Sequence, residues 1–298
     1  MSHQVTFPLF LCSWAGNVSR ETMGVKTIKI KDHFLSKEDF FLVNCSKGVL
    51  KTEPYLNIKV LAKYYNSDEY ISHGKGSGFL NSVYVFFSKL MLFFKFKIVK
   101  KYSKKDSLVV DFGCGVGDFI YYLKERGQNV NGVENNQKAL EETKKKNLNV
   151  VESISHLNKK IDLIIFWHSF EHLSNPRIFL EDLKKSLNKN STVVIALPNY
   201  TSFDSQYYKT FWAGYDVPRH RFHYSILGIK EIMSSHGFRF VESKPLFLDA
   251  FYVSMLSEKY KKSKLFFIKG LAVGLLSNLL AFFNSKYSSN VFVFKSSI

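Results

Sequence analysis

From Ser107 onward the chain sets short, unbroken apolar runs against longer segments of mixed character. The runs are Leu108 to Phe112, Val130 to Val133, Asn149 to Val151, Ile161 to Trp167, Thr192 to Leu197, Phe238 to Val241 and Val291 to Phe294. Between and after them, residues near 117–126, 136–146, 176–188 and 225–236 carry a helical period. Unbroken runs, unlike alternating ones, belong to strands buried on both faces, so the pattern predicts an α/β sheet of seven mostly parallel strands with helices on both faces. The last runs break strict alternation, because a helical insertion of about 245–288 precedes the final strand. Residues 79–102 read as a helix or helix pair, and residues 1 to about 75 as short strands and loops. The division expected is a small N-terminal segment, 1–78, before a main domain, 79–298. An open sheet of this kind holds its ligand at the carboxyl ends of its strands.

Composition narrows the classes. The chain has 298 residues, 46% of them hydrophobic and 22% charged, which is a globular profile. Its three cysteines, Cys12, Cys45 and Cys114, make no disulfide framework, and a reducing compartment is expected. The net charge of +17 favours phosphates, nucleic acid or an anionic membrane. Only six of the 42 basic residues are arginine, the better residue for bidentate phosphate and base contacts. The excess therefore reads as a surface bias, with no specific nucleic-acid partner expected.

Candidate chemistry starts at the first of these strands. Val109-Val110-Asp111-Phe112 runs into Gly113-Cys114-Gly115-Val116-Gly117 and then a helix. Glycines there allow a tight turn and close approach of backbone to ligand. The dinucleotide fingerprint would want glycine at position 118, but Asp118 stands there, and Asp111 precedes the loop. Two carboxylates would repel a pyrophosphate and suit a ligand carrying an ammonium and a sulfonium. The next strand ends at Glu134, 23 residues after Asp111, where an acid takes ribose hydroxyls in this class of sheet.

With these residues the sequence resembles the class I S-adenosylmethionine-dependent methyltransferases. Asp111 to Gly117 matches their glycine motif and Glu134 their ribose acid. Asp162 to Pro176, with Glu171-His172 and Pro176, resembles their fourth strand and its continuation in the branch that includes ubiquinone-type O-methyltransferases. The resemblance implies a Rossmann-like fold, S-adenosyl-L-methionine as cofactor and a methyltransferase activity. It implies that Asp111, Gly113, Cys114, Gly115 and Gly117 hold the methionine portion, Glu134 the ribose, Asn135 the adenine side, and Trp167 with His168 the end nearest the reactive methyl.

The stretch Phe211 to Tyr224 follows the fifth strand and resembles a segment of one bacterial methyltransferase branch. Methyl transfer requires an aligned nucleophile and removal of its proton, and histidine suits that base role. His220 is the first candidate, followed by His168 and His172, with Asp216 orienting a histidine. Trp212, Arg219 and His220 are the expected acceptor contacts. A structural role for His172, and an Asp216–Arg219 ion pair that merely fixes the loop, are the competing readings. The acceptor expected is a small molecule, a lipid-linked intermediate or a sugar, methylated on oxygen. A non-catalytic scaffold that keeps the cofactor fold is the alternative. A nucleic-acid methyltransferase would want an Asn/Asp-Pro-Pro-aromatic motif where His168-Ser169-Phe170-Glu171 stands.

The N-terminal region is similar to a cysteine-rich, zinc-ribbon-like module that precedes some of these enzymes. Here Ala15 and Gly48 stand where second cysteines would complete the pairs, and no metal is expected. Leu265 to Phe283 is long and apolar, bordering on a transmembrane span, but contains Lys269 and follows Lys259, Lys261, Lys262 and Lys264. A buried helix and one lying on an anionic leaflet both fit. The localisation expected is cytoplasmic, with contact to the inner membrane face.

Overall fold

A computed structural model describes residues 27–65 and 79–297 of the chain. Cys12 and Ala15 lie outside the described residues. The N-terminal part forms β1 (Ile28–Lys31), β2 (Asp39–Ser46) and β3 (Val49–Glu53), then a single helical turn, α1 (Ile58–Leu61). A long helix, α2 (Phe79–Tyr102), leads into the main sheet.

That sheet has the order β10-β11-β8-β7-β4-β5-β6. Its strands are β4 (Val109–Phe112), β5 (Val130–Val133), β6 (Val150–Val151), β7 (Ile161–Trp167), β8 (Leu187–Pro198), β10 (Phe238–Pro245) and β11 (Ser289–Ser296). β6, β5, β4, β7 and β8 run parallel, while β11 pairs antiparallel with both β8 and β10. Each of the seven apolar runs lies in one of these strands. Connecting helices are α3 (Asp118–Lys124), α4 (Gln137–Lys145), α5 (Pro176–Ser186) and α7 (Ile226–Ser235), with a short α6 (Phe203–Tyr208) after β8.

Strand side chains alternate between faces, so one run serves two cores. Val109, Ile165, Val194 and Val293 pack with Val99 of α2 and with Phe119 and Leu123 of α3. Val110, Ile164, Val193 and Phe294 pack with Leu180 and Leu183 of α5 and with Ile229 and Met233 of α7. Burial on both faces is why these runs lack polar alternation. The result is a Rossmann-like α/β fold.

The insertion before β11 is a helical hairpin, α8 (Phe247–Tyr260) and α9 (Phe266–Asn284). The two helices pack closely: a Cβ on Gly270 would come within 2.6 Å of the Met255 Cα, and one on Gly274 within 2.8 Å of the Phe251 Cα.

The N-terminal segment is not separate from the main domain. β9 (Phe222–Tyr224), which follows the aromatic- and histidine-rich loop after β8, pairs antiparallel with β3 and completes the four-stranded sheet β1-β2-β3-β9. Ile30, Phe40, Leu42 and Leu50 of that sheet pack on Trp212, Tyr215 and Val217 of the loop. A three-residue strand whose partner lies about 170 positions earlier leaves no local period.

Candidate active site

The carboxyl edge of β4 and β5 builds one half of the site. Gly113, Gly115 and Gly117 all have positive φ, at 73°, 54° and 79°. That left-handed backbone favours glycine. Two of the three are also packed: a Cβ on Gly113 would strike the Ser169 Cβ at 2.7 Å, and one on Gly117 the Leu148 Cδ1 at 2.5 Å. A Cβ on Gly115 would meet nothing within 4 Å. The backbone at Gly115 therefore borders open space, as a loop that cradles a ligand requires. Glu134 braces this loop: its carboxylate accepts from the backbone N–H groups of Gly115, at 2.9 Å, Asn135, at 2.9 Å, and Asn136, at 2.8 Å. The Cys114 thiol packs toward Gly132, and burial raises its pKa.

Asp111 is buried, and burial pushes its carboxyl up to about 6 against the pull of Lys95. Lys95 reaches in from α2. Its ammonium stands 4.5 Å from the centre of the Trp167 ring and 5.3 Å from that of Phe119. Burial lowers it to about 8, although Asp111, Asp249 and Asp118 all pull the other way. An anionic floor with an aromatic wall suits a cation.

The other half gathers at the end of β7. His168 has φ of 53°, and its Nε2 lies 3.1 Å from the Asp249 carboxylate of α8. Its Nδ1 faces Glu171 at 3.6 Å. Burial opposes a charge on this imidazole, yet the two carboxylates outweigh it and raise His168 to about 10. Glu171 is 1% exposed. Burial disfavours its carboxylate, but His168, His220 and His172 hold it near 2. His220 points Nε2 at Glu171 from 3.8 Å, and burial lowers it to about 4. His172 and His220 stack edge to face, 4.9 Å between ring centres.

For the loop residues the structure contains the competing arrangement, an Asp216–Arg219 ion pair that fixes the loop. Arg219 was expected to touch the acceptor. It is instead 1% exposed, its guanidinium held by Asp216 at 2.6 Å and by Asp32 at 3.0 Å. Asp216 was expected to orient a histidine. Its carboxylate takes both Nε and Nη2 of Arg219, and only its backbone carbonyl meets His220, accepting from that residue's N–H at 3.0 Å. Trp212, also expected at the acceptor, is buried, and its indole N–H donates to Asp204 at 2.7 Å. These side chains fasten the loop from inside, because an arginine or an indole buried among apolar neighbours must be hydrogen-bonded there. Of the expected histidines, His168, His172 and His220 do converge. Glu171 and Lys95 were not singled out for the site, and Asp249 only as part of the insertion expected to finish the substrate pocket or touch membrane. The signals available were an acid just after the fourth apolar run and one of five lysines in an aromatic helix.

The sequence profile of the methyltransferase-domain family matches residues 86–243, more than half of the chain. The chain belongs to this family. It is a class I S-adenosylmethionine-dependent methyltransferase. The fold of the methyltransferase is similar to that of magnesium protoporphyrin IX methyltransferase (ChlM) from Synechocystis PCC 6803, solved with bound SAH. The TM-score is 0.53 and the identity 15%, over 81% of this chain and 100% of that one. A SAM-dependent methyltransferase from Archaeoglobus fulgidus is 25% identical over 70% of this chain and 94% of its own, with a TM-score of 0.46. No curated protein matches the sequence. Family membership makes the methyltransferase an enzyme and sets aside the scaffold reading. The open space above Gly115 and the buried Asp111 fit S-adenosylmethionine. Asp111 and the Gly113–Gly117 backbone would hold its methionine portion and Glu134 its ribose. When bound, the cofactor supplies an electrophilic methyl on a sulfonium.

Proposed function

We propose that the methyltransferase acts on an oxygen nucleophile of a lipid-linked acceptor at an anionic membrane surface. The observation that carries this reading is the orientation of α9. Its inward stripe is Gly270, Val273, Gly274, Ser277 and Ala281, all small or medium residues buried against the rest of the domain. Its outward stripe is Ile268, Leu271, Leu275, Leu279, Phe282 and Phe283, the last two 76% and 85% exposed. A water-facing helix normally turns its large apolar residues inward. Among the described residues α9 is the one helix long and apolar enough to cross a membrane, and only 28% of its apolar window is buried. An exposed apolar patch of this kind marks an interaction surface.

Charge favours a leaflet as the partner. Lys261, Lys262, Lys264, Lys269 and Lys286, all exposed, flank or lie on the helix, a combination that suits anionic headgroups beside acyl chains. The hairpin also reaches the reacting end of the site, since Asp249 of α8 contacts His168. On this reading the enzyme works from the cytoplasmic side, where the leaflet is anionic.

Sedimentation with vesicles tests the reading. The protein should pellet with phosphatidylglycerol-containing vesicles and remain in solution with phosphatidylcholine alone. Leu275→Glu combined with Leu279→Glu should abolish pelleting while S-adenosylhomocysteine binding persists. Labelled methyl from S-adenosylmethionine should then enter the organic-extractable fraction of a cell extract. A wild-type protein that ignores both vesicle types, or label confined to water-soluble products, would overturn the proposal.

A further inference from the structure

The cluster around Glu171 makes an unusual demand. Glu171 is 1% exposed, and neither of its carboxylate oxygens has a hydrogen-bond partner. The nearest donor, His168 Nδ1, is 3.6 Å away, beyond hydrogen-bond range, and its ring is engaged by Asp249 at 3.1 Å. His168 thus lies between two carboxylates and is nearer to Asp249. A buried carboxylate with no hydrogen-bonded partner is costly, so such groups are closely paired or coordinate metals.

The two other imidazoles around Glu171 each have Nδ1 engaged by a backbone carbonyl, so the neutral ring carries its lone pair on Nε2. His220 donates Nδ1–H to the Gly214 carbonyl at 3.0 Å, so Nε2, the atom facing Glu171, carries the lone pair. His172 Nδ1 lies 2.9 Å from the Arg219 carbonyl, which can only accept, and 3.0 Å from the Tyr65 hydroxyl. Its lone pair is therefore on Nε2 as well. An imidazole whose Nδ1–H is held by a backbone carbonyl is the arrangement that orients histidine ligands at metal centres. One ligand atom each from Glu171, His172 and His220 lies within 4.8 Å of the others. A tetrahedral ion with bonds of about 2.1 Å sets its ligands about 3.4 Å apart. Side-chain shifts on the order of 1 Å would close the set.

We propose that Glu171, His172 and His220 form a binding site for a divalent transition-metal ion of the zinc class. Two imidazoles and one carboxylate suit zinc, iron, cobalt or manganese better than magnesium or calcium, which want oxygen donors. Three protein ligands leave at least one coordination position open, as in catalytic rather than structural sites. Glu171 and His220 also line a narrow cleft with Trp212, His223 and Tyr224 beside the end of β8. If the acceptor is an alcohol, as the reading above holds, the ion would lower the pKa of a hydroxyl bound to it. The site itself does not depend on that reading.

Cobalt serves as the probe, because its d–d absorption reports both binding and coordination. The full chain, stripped with chelator, should take up one Co²⁺ with a visible band, and Zn²⁺ should displace it. Glu171→Gln and His220→Ala should each lose the band. His172→Ala, at a partly exposed position, should lose it too and guards against a folding failure at the buried Glu171. S-adenosylhomocysteine binding, read separately by calorimetry, should survive in the folded variants. A wild-type chain that binds no stoichiometric cobalt overturns the proposal, and so does a band that persists in His172→Ala. Neither result would touch the membrane reading, which is scored by vesicle sedimentation.

Discussion

Asp111 shows how one residue couples the fold to the cofactor. It ends β4 beneath the glycine loop, is 4% exposed, and burial lifts its carboxyl from an ordinary 3.8 to about 6. A bound ammonium would favour the carboxylate form, so the complex holds Asp111 ionised at lower pH than the free enzyme does. Protons and ligand therefore compete. S-adenosylhomocysteine affinity should be flat above the free-enzyme value and should fall by up to about tenfold for each pH unit below about 6. Calorimetry between pH 5 and 8 checks this. Asp111→Asn should abolish that step and weaken binding at neutral pH by roughly 10- to 100-fold, the loss of one charge-assisted hydrogen bond. Affinity independent of pH in the wild type would remove Asp111 from the cofactor site. This residue was legible in the sequence because its context is local: strand, acid and glycine turn lie within nine positions, 109–117. Glu171 and Lys95 were not, because their roles come from contacts across the fold, with His220 in the loop after β8 and with Trp167 at the end of β7.

At the scale of elements the same distinction holds. The seven strands of the main sheet were readable because parallel strands buried on both faces leave unbroken apolar runs. The N-terminal sheet was not readable as a partner of the loop after β8, since β9 is three residues long and pairs with β3 from far along the chain. What locks the two together is ionic. Asp32, in the turn after β1, accepts from the backbone N–H groups of Phe34, Leu35 and Ser36 and from Arg219 of the loop. Its pKa is lowered, because Arg219 and these donors outweigh the effect of burial. Removing one partner of a buried pair leaves an uncompensated charge and costs about 3–5 kcal/mol. Asp216 still faces Arg219, so Asp32→Ala should cost about 3 kcal/mol, the lower end of that range. Urea denaturation would show it as a lower midpoint with an unchanged slope. Arg219→Lys should also destabilise, because an ammonium cannot span two carboxylates and the Tyr64 carbonyl as a guanidinium does. Midpoints equal to wild type in both variants would reduce Arg219 to a spectator.

The whole molecule carries a net charge of +17, which the sequence presents only as a total. The fold places five of its lysines, 261, 262, 264, 269 and 286, around or on the helix that exposes the largest apolar residues. Attraction to an anionic leaflet and insertion of Leu275, Leu279, Phe282 and Phe283 would then act on the same surface, and the two contributions separate by salt. Electrostatic attraction decays within a Debye length of about 10 Å at 0.1 M salt and about 3 Å at 1 M, whereas burial of apolar surface does not weaken. Each surface lysine near the leaflet contributes about 1 kcal/mol. Replacing Lys262, Lys264 and Lys269 with Glu should therefore weaken partitioning onto phosphatidylglycerol vesicles by on the order of a hundredfold or more at 0.1 M NaCl. The same triple variant should differ little from wild type at 1 M NaCl, where residual binding of both rests on α9. Fluorescence titration with vesicles at the two salt concentrations decides it. A variant that binds as tightly as wild type at low salt would show that the lysines face away from the leaflet, and the apolar stripe of α9 would then need a partner without charge.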